Sequence, residues 1–252
     1  MKIQVKRLLI EHNAKNLKDL SKKLNISYNR MKNLSCGRTK FSSRRKYNYV
    51  EIPHKFNEKI AEVVGIVLGD GNIDMKQVRI FGHKEELEYY LYLQYLFQDI
   101  FKMDSKIKPH IKNTNGIKLV VNSVKLCRYL NSIGLKFGSK IKNKSVVPEW
   151  IFENKNYIKF CLKGLFDTDG SFFISSNNSE FNILWKMSPK SKLPQEIRKM
   201  LLLLKYNPTR IFDNGRKVSL CRKKEVINFF NEIKPRNNVQ LKRYENCLKS
   251  IN

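Results

Sequence analysis

The chain has 252 residues, with 50 Lys+Arg against 22 Asp+Glu and a formal net charge of +28. So large a charge repels itself on any compact body and points to a polyanionic partner. The 41% hydrophobic and 11% aromatic content excludes wholesale disorder, and no run reaches the ~18 uncharged apolar residues of a membrane span.

In chain order, the start Met1–Arg7 lacks the apolar core of a secretion signal, so an intracellular protein of the cytoplasm or nucleoid, or of an organelle, is expected. Up to Phe56 there are 15 basic residues and three acids, Glu11, Asp19 and Glu51, a local charge of +12. Leu17, Leu20 and Leu24 recur at helical spacing, Asn25-Ile26 reads as a tight turn, and Ser27 is placed to cap a second helix. In that helix Met31 and Leu34 would face inward, leaving Tyr28, Asn29, Arg30, Lys32 and Asn33 outward. This is the helix-turn-helix pattern, whose second helix can enter a major groove. The basic stretch Gly37–Lys46, with Arg38 and Lys40, suits a linker that tracks phosphates.

From Ile52 onward the text nearly repeats. A proline, Pro53 or Pro148, precedes an amphipathic run ending in an acidic glycine turn: Gly65-Ile66-Val67-Leu68-Gly69-Asp70-Gly71, then Gly164-Leu165-Phe166-Asp167-Thr168-Asp169-Gly170. After the first come expected strands 72–76 and 77–82, a helix 84–101, strands 106–112 and 117–121, and a helix 124–133. After the second come strands 171–175 and 181–187, a helix 193–204, strands 209–212 and 217–221, and a helix 224–233. The expected domains are 1–50, 51–147 and 148–252. The class is α+β, with two pseudo-symmetric αββαββα repeats and a small all-α N-terminal domain, suited to a nearly symmetric duplex.

Strand alternation sends Lys106, Lys108, His110 and Lys112 to one face and Ile107, Pro109 and Ile111 to the other. Gln77, Arg79 and Phe81 alternate with Val78 and Ile80, as Asn182 and Lys186 do with Ile183 and Trp185. A saddle of such faces, with Lys118, Arg210 and Lys217 added, would meet base edges and phosphates. Glycine inside an apolar helix lowers stability by about 1 kcal/mol relative to alanine, which is understandable if two helix backbones approach there. The two motif helices are therefore expected to pack together and bring Asp70 and Asp169 to one place, with divalent cations between them. The five cysteines, Cys36, Cys127, Cys161, Cys221 and Cys247, are scattered and form no zinc or disulfide pattern.

The motifs Val63–Gly71 and Leu162–Gly170 resemble the signature of the LAGLIDADG homing endonucleases, in the double-motif, monomeric branch. The resemblance runs from about Pro53 to the C-terminus. It implies a DNA-binding saddle of two four-stranded sheets and Mg²⁺ (or Mn²⁺) held by Asp70 and Asp169, with the preceding Gly69 and Thr168 in the metal set. It further implies cleavage across the minor groove with short 3′ overhangs, on a long, nearly palindromic double-stranded target. By the same resemblance Lys140 is the basic residue that polarises the phosphate or its water. The equivalent place in the second copy falls at Gln240, with Lys242 two positions on. His83 sits where the family keeps a polar water-holding residue, and Ser188 is its counterpart, read as a helix cap. Asp167 is expected to be structural and Asp74 a turn residue. The chain is expected to be a free-standing, intron-homing enzyme rather than part of an intein. A non-catalytic regulator and an RNA-splicing maturase are the alternatives on the same fold.

Overall fold

The computed structural model describes residues 3–36, 50–110, 115–175 and 180–249. They fall into two compact units, one within 3–36 and one within 50–249. Arg38, Lys40 and the basic stretch around them, and Lys112, lie outside the described residues.

The small unit holds α1 (Ile3–Glu11), α2 (Leu17–Lys23) and α3 (Tyr28–Ser35). Asn16 caps α2 by accepting from the Asp19 N–H, and Asn25 ends the following turn at φ 50°, a left-handed conformation that asparagine tolerates. Ser27 stands at the N-cap of α3, but its hydroxyl makes no cap bond. Val5, Leu20, Met31 and Leu34 form the core, while Tyr28, Asn29, Arg30 and Lys32 are exposed and Asn33 is half-buried.

The large unit begins with α4 (Glu58–Gly69), β1 (Gly71–Ile73) and β2 (Gln77–His83), followed by a 3-10 turn at Lys84–Glu86 and α5 (Leu87–Phe101). Next come β3 (Lys106–Pro109), β4 (Gly116–Asn122) and α6 (Val124–Ser132). A 3-10 turn at Glu149–Glu153 then leads into α7 (Lys155–Asp169), β5 (Gly170–Ile174), β6 (Phe181–Lys186), α8 (Leu193–Leu203), β7 (Lys217–Leu220), α9 (Lys223–Ile233) and α10 (Asn238–Lys249). The first sheet is antiparallel in the order β1-β2-β4-β3, the second in the order β5-β6-β7. One continuous core serves both expected repeats.

Several elements differ from expectation for local reasons. The strand expected over 72–76 stops at Ile73, because Asp74 Oδ1 takes the Lys76 and Gln77 N–H groups in a turn. The fourth strand of the second sheet, expected over 209–212, is irregular. Thr209 N donates to Ser219 O and Phe212 bridges Lys217, but Pro208 has no N–H to give and the chain then turns through Asp213 and Asn214, both at positive φ. The strand faces alternate as expected for Gln77, Arg79 and Phe81 against buried Val78 and Ile80. Pro109 is exposed rather than inward, and Asn182 is buried rather than open, its Nδ2 donating to Glu180 O. No helix among the described residues is long and apolar enough to cross a membrane.

The core is organised by the crossing of α4 and α7. Every residue of α4 from Ile60 to Gly69 is buried. A Cβ at Gly65 would lie 2.1 Å from the Cys161 carbonyl oxygen, and one at Gly164 would lie 2.4 Å from that of Glu62. Backbone thus meets backbone at both glycines. Beside the crossing, Glu62, 1% exposed, pairs with Lys163 at 2.9 Å and accepts from the Tyr92 hydroxyl at 2.7 Å. A lone charge there would be strongly destabilising, so each ion is tolerated only with the other.

Gly65→Ala should lower stability by about 2 kcal/mol or more despite the better helix former, because backbone rather than a flexible side chain must move. That corresponds to a fall of roughly 5 °C in the thermal midpoint followed by circular dichroism. A midpoint that rises would mean that the helices do not touch at Gly65.

Candidate metal and nucleic-acid site

Each motif helix ends in the same way. Asp70 closes α4, and Gly71 opens β1 so near to α4 that a Cβ there would fall 2.4 Å from Val67 Cα. Asp169 is the last residue of α7, and Gly170 is pressed on Phe166, where a Cβ would lie 2.6 Å from the carbonyl oxygen. Only glycine lets the strand fold back so tightly, and each acid is left at the junction of helix and sheet.

The crossing brings the two junctions together. A Cβ at Gly69 would lie 1.9 Å from Thr168 Oγ1 and 2.9 Å from Asp169 Oδ2. Thr168 spends its hydroxyl on the Gly164 carbonyl at 2.9 Å. Lys140 reaches in from the loop after α6, its Nζ donating to Leu68 O at 2.9 Å and to Gly69 O. A cation at the carbonyl end of a helix is well placed electrostatically.

Burial pushes the Asp70 carboxyl up to about 8; the Asp169 charge and Glu86 add to the rise and Lys140 opposes it. Burial likewise raises Asp169 to about 6 against the pull of Lys140. Burial lowers the Lys140 ammonium, and both carboxylates work against that. Two desolvated acids therefore share one cation, with a small cavity of about 70 Å³ beside Asp169 and Lys140, bordered by Ser188.

The other expected site residues each have partners of their own. Lys242 lies away on α10, its side chain 66% exposed and 3.9 Å from Glu88. Gln240 is tied to the edge of the second sheet, its Oε1 accepting from Phe172 N at 2.9 Å. His83 Nδ1 accepts from the Glu85 N–H at 3.4 Å and caps the 3-10 turn. Ser188 is not the cap of α8, since Lys190 takes positive φ and Ser191 Oγ accepts from the Leu193 N–H. Asp167 is structural as expected: fully buried, it accepts the N–H groups of Arg236 and Asn237 at 2.8 and 2.9 Å.

Glu86 and Asn237 escaped the sequence reading. Glu86 Oε2 accepts from His83 N and its Oε1 from Asn237 Nδ2, both at 2.8 Å, and Asn237 Nδ2 also donates to Asp167 O. The spacing His83-x-x-Glu86 is a capping-box signal that could have marked Glu86; nothing local marks Asn237.

The open faces of the two sheets begin at the two acids. On the first, Arg79, Lys106, Lys108 and Lys118 stand with Asn72, Gln77 and Phe81, and His110 meets the Phe81 ring edge-on at 5.6 Å. Arg79 is paired with Asp74 at 2.7 Å, whereas Lys106, Lys108 and Lys118 are in no ion pair among the described residues. Lys108 and Lys118 lie directly opposite each other. On the second, Lys186 and Lys217 are cross-strand neighbours, Lys217 being 3.0 Å from Asp213, and Arg210 is exposed on the adjoining segment.

No protein-family profile matches the chain. In sequence it is similar to replication factor C small subunit of Methanocaldococcus jannaschii, 27% identical over 145 residues, 58% of this chain and 8% of that protein. A second likeness is to the NrdEB alpha polypeptide of the Bacillus subtilis ribonucleoside-diphosphate reductase, 28% identical over 175 residues, 64% of this chain and 16% of that one. The chain thus spans less than a fifth of the length of these curated relatives. Among solved structures it is similar to the LAGLIDADG meganuclease I-AabMI bound to uncleaved DNA, with TM-score 0.49 and 12% identity, covering 77% of this chain and 90% of that one. For mesophilic variants of the homing endonuclease I-DmoI the values are 0.47, 18%, 72% and 98%. For the N-terminal LAGLIDADG domain of DUF199/WhiA they are 0.48, 17%, 75% and 89%.

The raised carboxyl pKa of Asp70 carries a stability signature. Its charged form is disfavoured in the fold, so stability contributed below the unfolded value near 4 is lost as pH rises toward 8. Asp70→Asn should therefore unfold at a higher denaturant concentration than the parent at pH 8, with a difference that shrinks toward pH 4. Equal midpoints at pH 8 would show that the pair is not desolvated.

Proposed function

We propose that this chain is a metal-dependent DNA endonuclease of the homing type, acting as a monomer whose two repeats each take one half of a long duplex site. The observation that carries the reading is the acid pair: Asp70 and Asp169, from matching helix ends, are held together in partial burial with Lys140 as their one cationic neighbour among the described residues. Such a pair is unfavourable for its own sake, and a divalent cation with a phosphate is what would relieve it. The motif resemblance at Val63–Gly71 and Leu162–Gly170 points the same way.

The donor set suits Mg²⁺ or Mn²⁺. Mg²⁺ favours one or two carboxylates completed by phosphate oxygens and water rather than an all-protein cage, and no group of three or more His, Cys, Asp or Glu residues gathers among the described residues. Asp70 and Asp169 would hold the ion, with the Gly69 and Thr168 positions beside them. When bound, the ion supplies Lewis-acid polarisation of the phosphodiester and a more acidic water. Lys140 has the remaining work of placing positive charge where the phosphoryl group gains negative charge. Lys108 and Lys118, like charges face to face, lose stability unless an anion lies across them, which suits a phosphate backbone on the first sheet. The small unit adds a second DNA contact, with Tyr28, Asn29, Arg30, Lys32 and Asn33 of α3 facing a major groove.

A non-catalytic DNA-binding regulator on the same fold is the second reading, and the engagement of Gln240 by Phe172 N and of Lys242 by Glu88 favours it. Incubation with a random duplex library and Mg²⁺ separates the two. The nuclease reading expects cleavage at a defined site, lost by at least ~10³-fold in Asp70→Asn and Asp169→Asn with binding retained. Lys140→Met should slow cutting by roughly 10²–10³-fold, while Lys242→Ala should stay within about threefold. A folded parent that binds a site but never cuts it would leave the regulator.

With burial and the Asp169 charge pushing the Asp70 carboxyl up to about 8, Mg²⁺ binding at pH 7 should release close to one proton, and affinity should fall below pH 6. Calorimetry in buffers of different ionisation enthalpy reads that proton; no dependence on the buffer would place the ion elsewhere.

A further inference from the structure

The two open sheet faces differ in chemistry. On the first, the rows across the strands are Asn72–Arg79–Val120–Lys106 and Phe81–Lys118–Lys108, so hydrogen-bonding and cationic groups dominate. On the second, the rows are Lys186–Lys217, Ser171–Leu184–Ser219 and Phe173–Asn182, with Phe212 bridged to Lys217, so the cations gather at one end and an apolar patch occupies the rest. Alternation puts Phe172, Ile183, Trp185, Val218 and Leu220 in the core, so Phe173 and Leu184 belong to the open face. Phe173 is 43% exposed, Phe212 is 42% exposed and Leu184 is half-buried. The serine hydroxyls and the Asn182 amide N–H are already engaged, Ser171 Oγ donating to Leu184 O, Ser219 Oγ lying 3.3 Å from Thr209 Oγ1 and Asn182 Nδ2 donating to Glu180 O. Of the two lysines, Lys217 pairs at 3.0 Å with Asp213, which Arg216 also meets at 2.7 Å.

An apolar patch on so basic a chain calls for an occupant. This face starts one residue after Asp169, is continuous with the proposed DNA site, and is bordered by Lys186 and Arg210. A duplex groove offers such a face one apolar feature at base-edge level, the C5-methyl of thymine. We infer that the second sheet reads thymine methyl groups through Phe173, Leu184 and Phe212. The site is then chemically lopsided: one half is held by charge and hydrogen bonds, the other by methyl contact. This rests on the DNA reading above and departs from a nearly palindromic target.

The test takes the full chain and a duplex recovered by binding selection from a random library, in which deoxyuridine replaces thymidine one position at a time. Deoxyuridine deletes the methyl and keeps the pairing edge. Affinity should fall three- to tenfold at a cluster of thymines confined to one half, and stay within twofold in the other. The penalty at that cluster should vanish in Phe173→Ala or Leu184→Ala and persist in Phe81→Ala, with thermal unfolding confirming that each variant is folded. The DNA-side substitution needs no variant at all. Selection of a defined site whose affinity ignores every deoxyuridine overturns the inference and leaves the DNA reading standing. A penalty that follows Phe81 instead, or sedimentation showing that the protein self-associates through Phe173, overturns it too. Failure to retain any duplex removes both.

Discussion

The approach of α4 to α7 without side chains between them is the constraint on which the rest depends. Two glycines set backbone on backbone, and every later feature inherits that distance. Because the helices touch at Gly65 and Gly164, their ends converge one turn further on, where Gly69 makes room for Thr168 and the Asp169 carboxylate. The acid pair is thus held by main-chain packing rather than by flexible side chains, which is the kind of support that fixes charge positions closely. The pair opposes folding, and the apolar burial along α4 and α7 outweighs it.

Much of this frame was legible in the residues. The glycine in each apolar helix and the acid-glycine turn after it occur in matching contexts, and both consequences, close helices and neighbouring acids, are seen. The strands were legible where polar and apolar residues alternate strictly, as in β2. What escaped depended on distant partners. The helix α10 carries few buried residues, Tyr244 and Cys247, and its start is set by Asn237, whose partners lie some 70 and 151 residues earlier. Counting along the chain leads to Gln240 as the second position, but spacing does not reveal that its Oε1 is taken by a strand edge. Pro208 and the positive-φ pair Asp213 and Asn214 outweighed a weak strand pattern.

The two sheet edges next to the acids are closed by different devices. Beside β1, Gly138 N donates to Ile73 O and Asn72 Nδ2 to Gly138 O, which leaves Lys140 free to turn toward the acids. Beside β5 a glutamine side chain does the same work from a helix. Both solutions cover an unpaired strand edge. Only the first also delivers a cation, so the halves of the molecule share an element order but not an electrostatic one.

Asp167 ties the geometry to time. Its carboxyl is buried, pushed up to about 7 chiefly by that burial, and its bonds come from the N–H groups of Arg236 and Asn237. During translation α7 is made well before those donors exist, and closing a loop of that length is a late and entropically demanding step. Until residue 237 has emerged from the ribosome, the Asp167 carboxyl lacks the two N–H donors that meet it in the fold. A nascent chain stalled before that point would hold the glycine crossing that pairs the carboxylates but not the two N–H donors that fasten the end of α7.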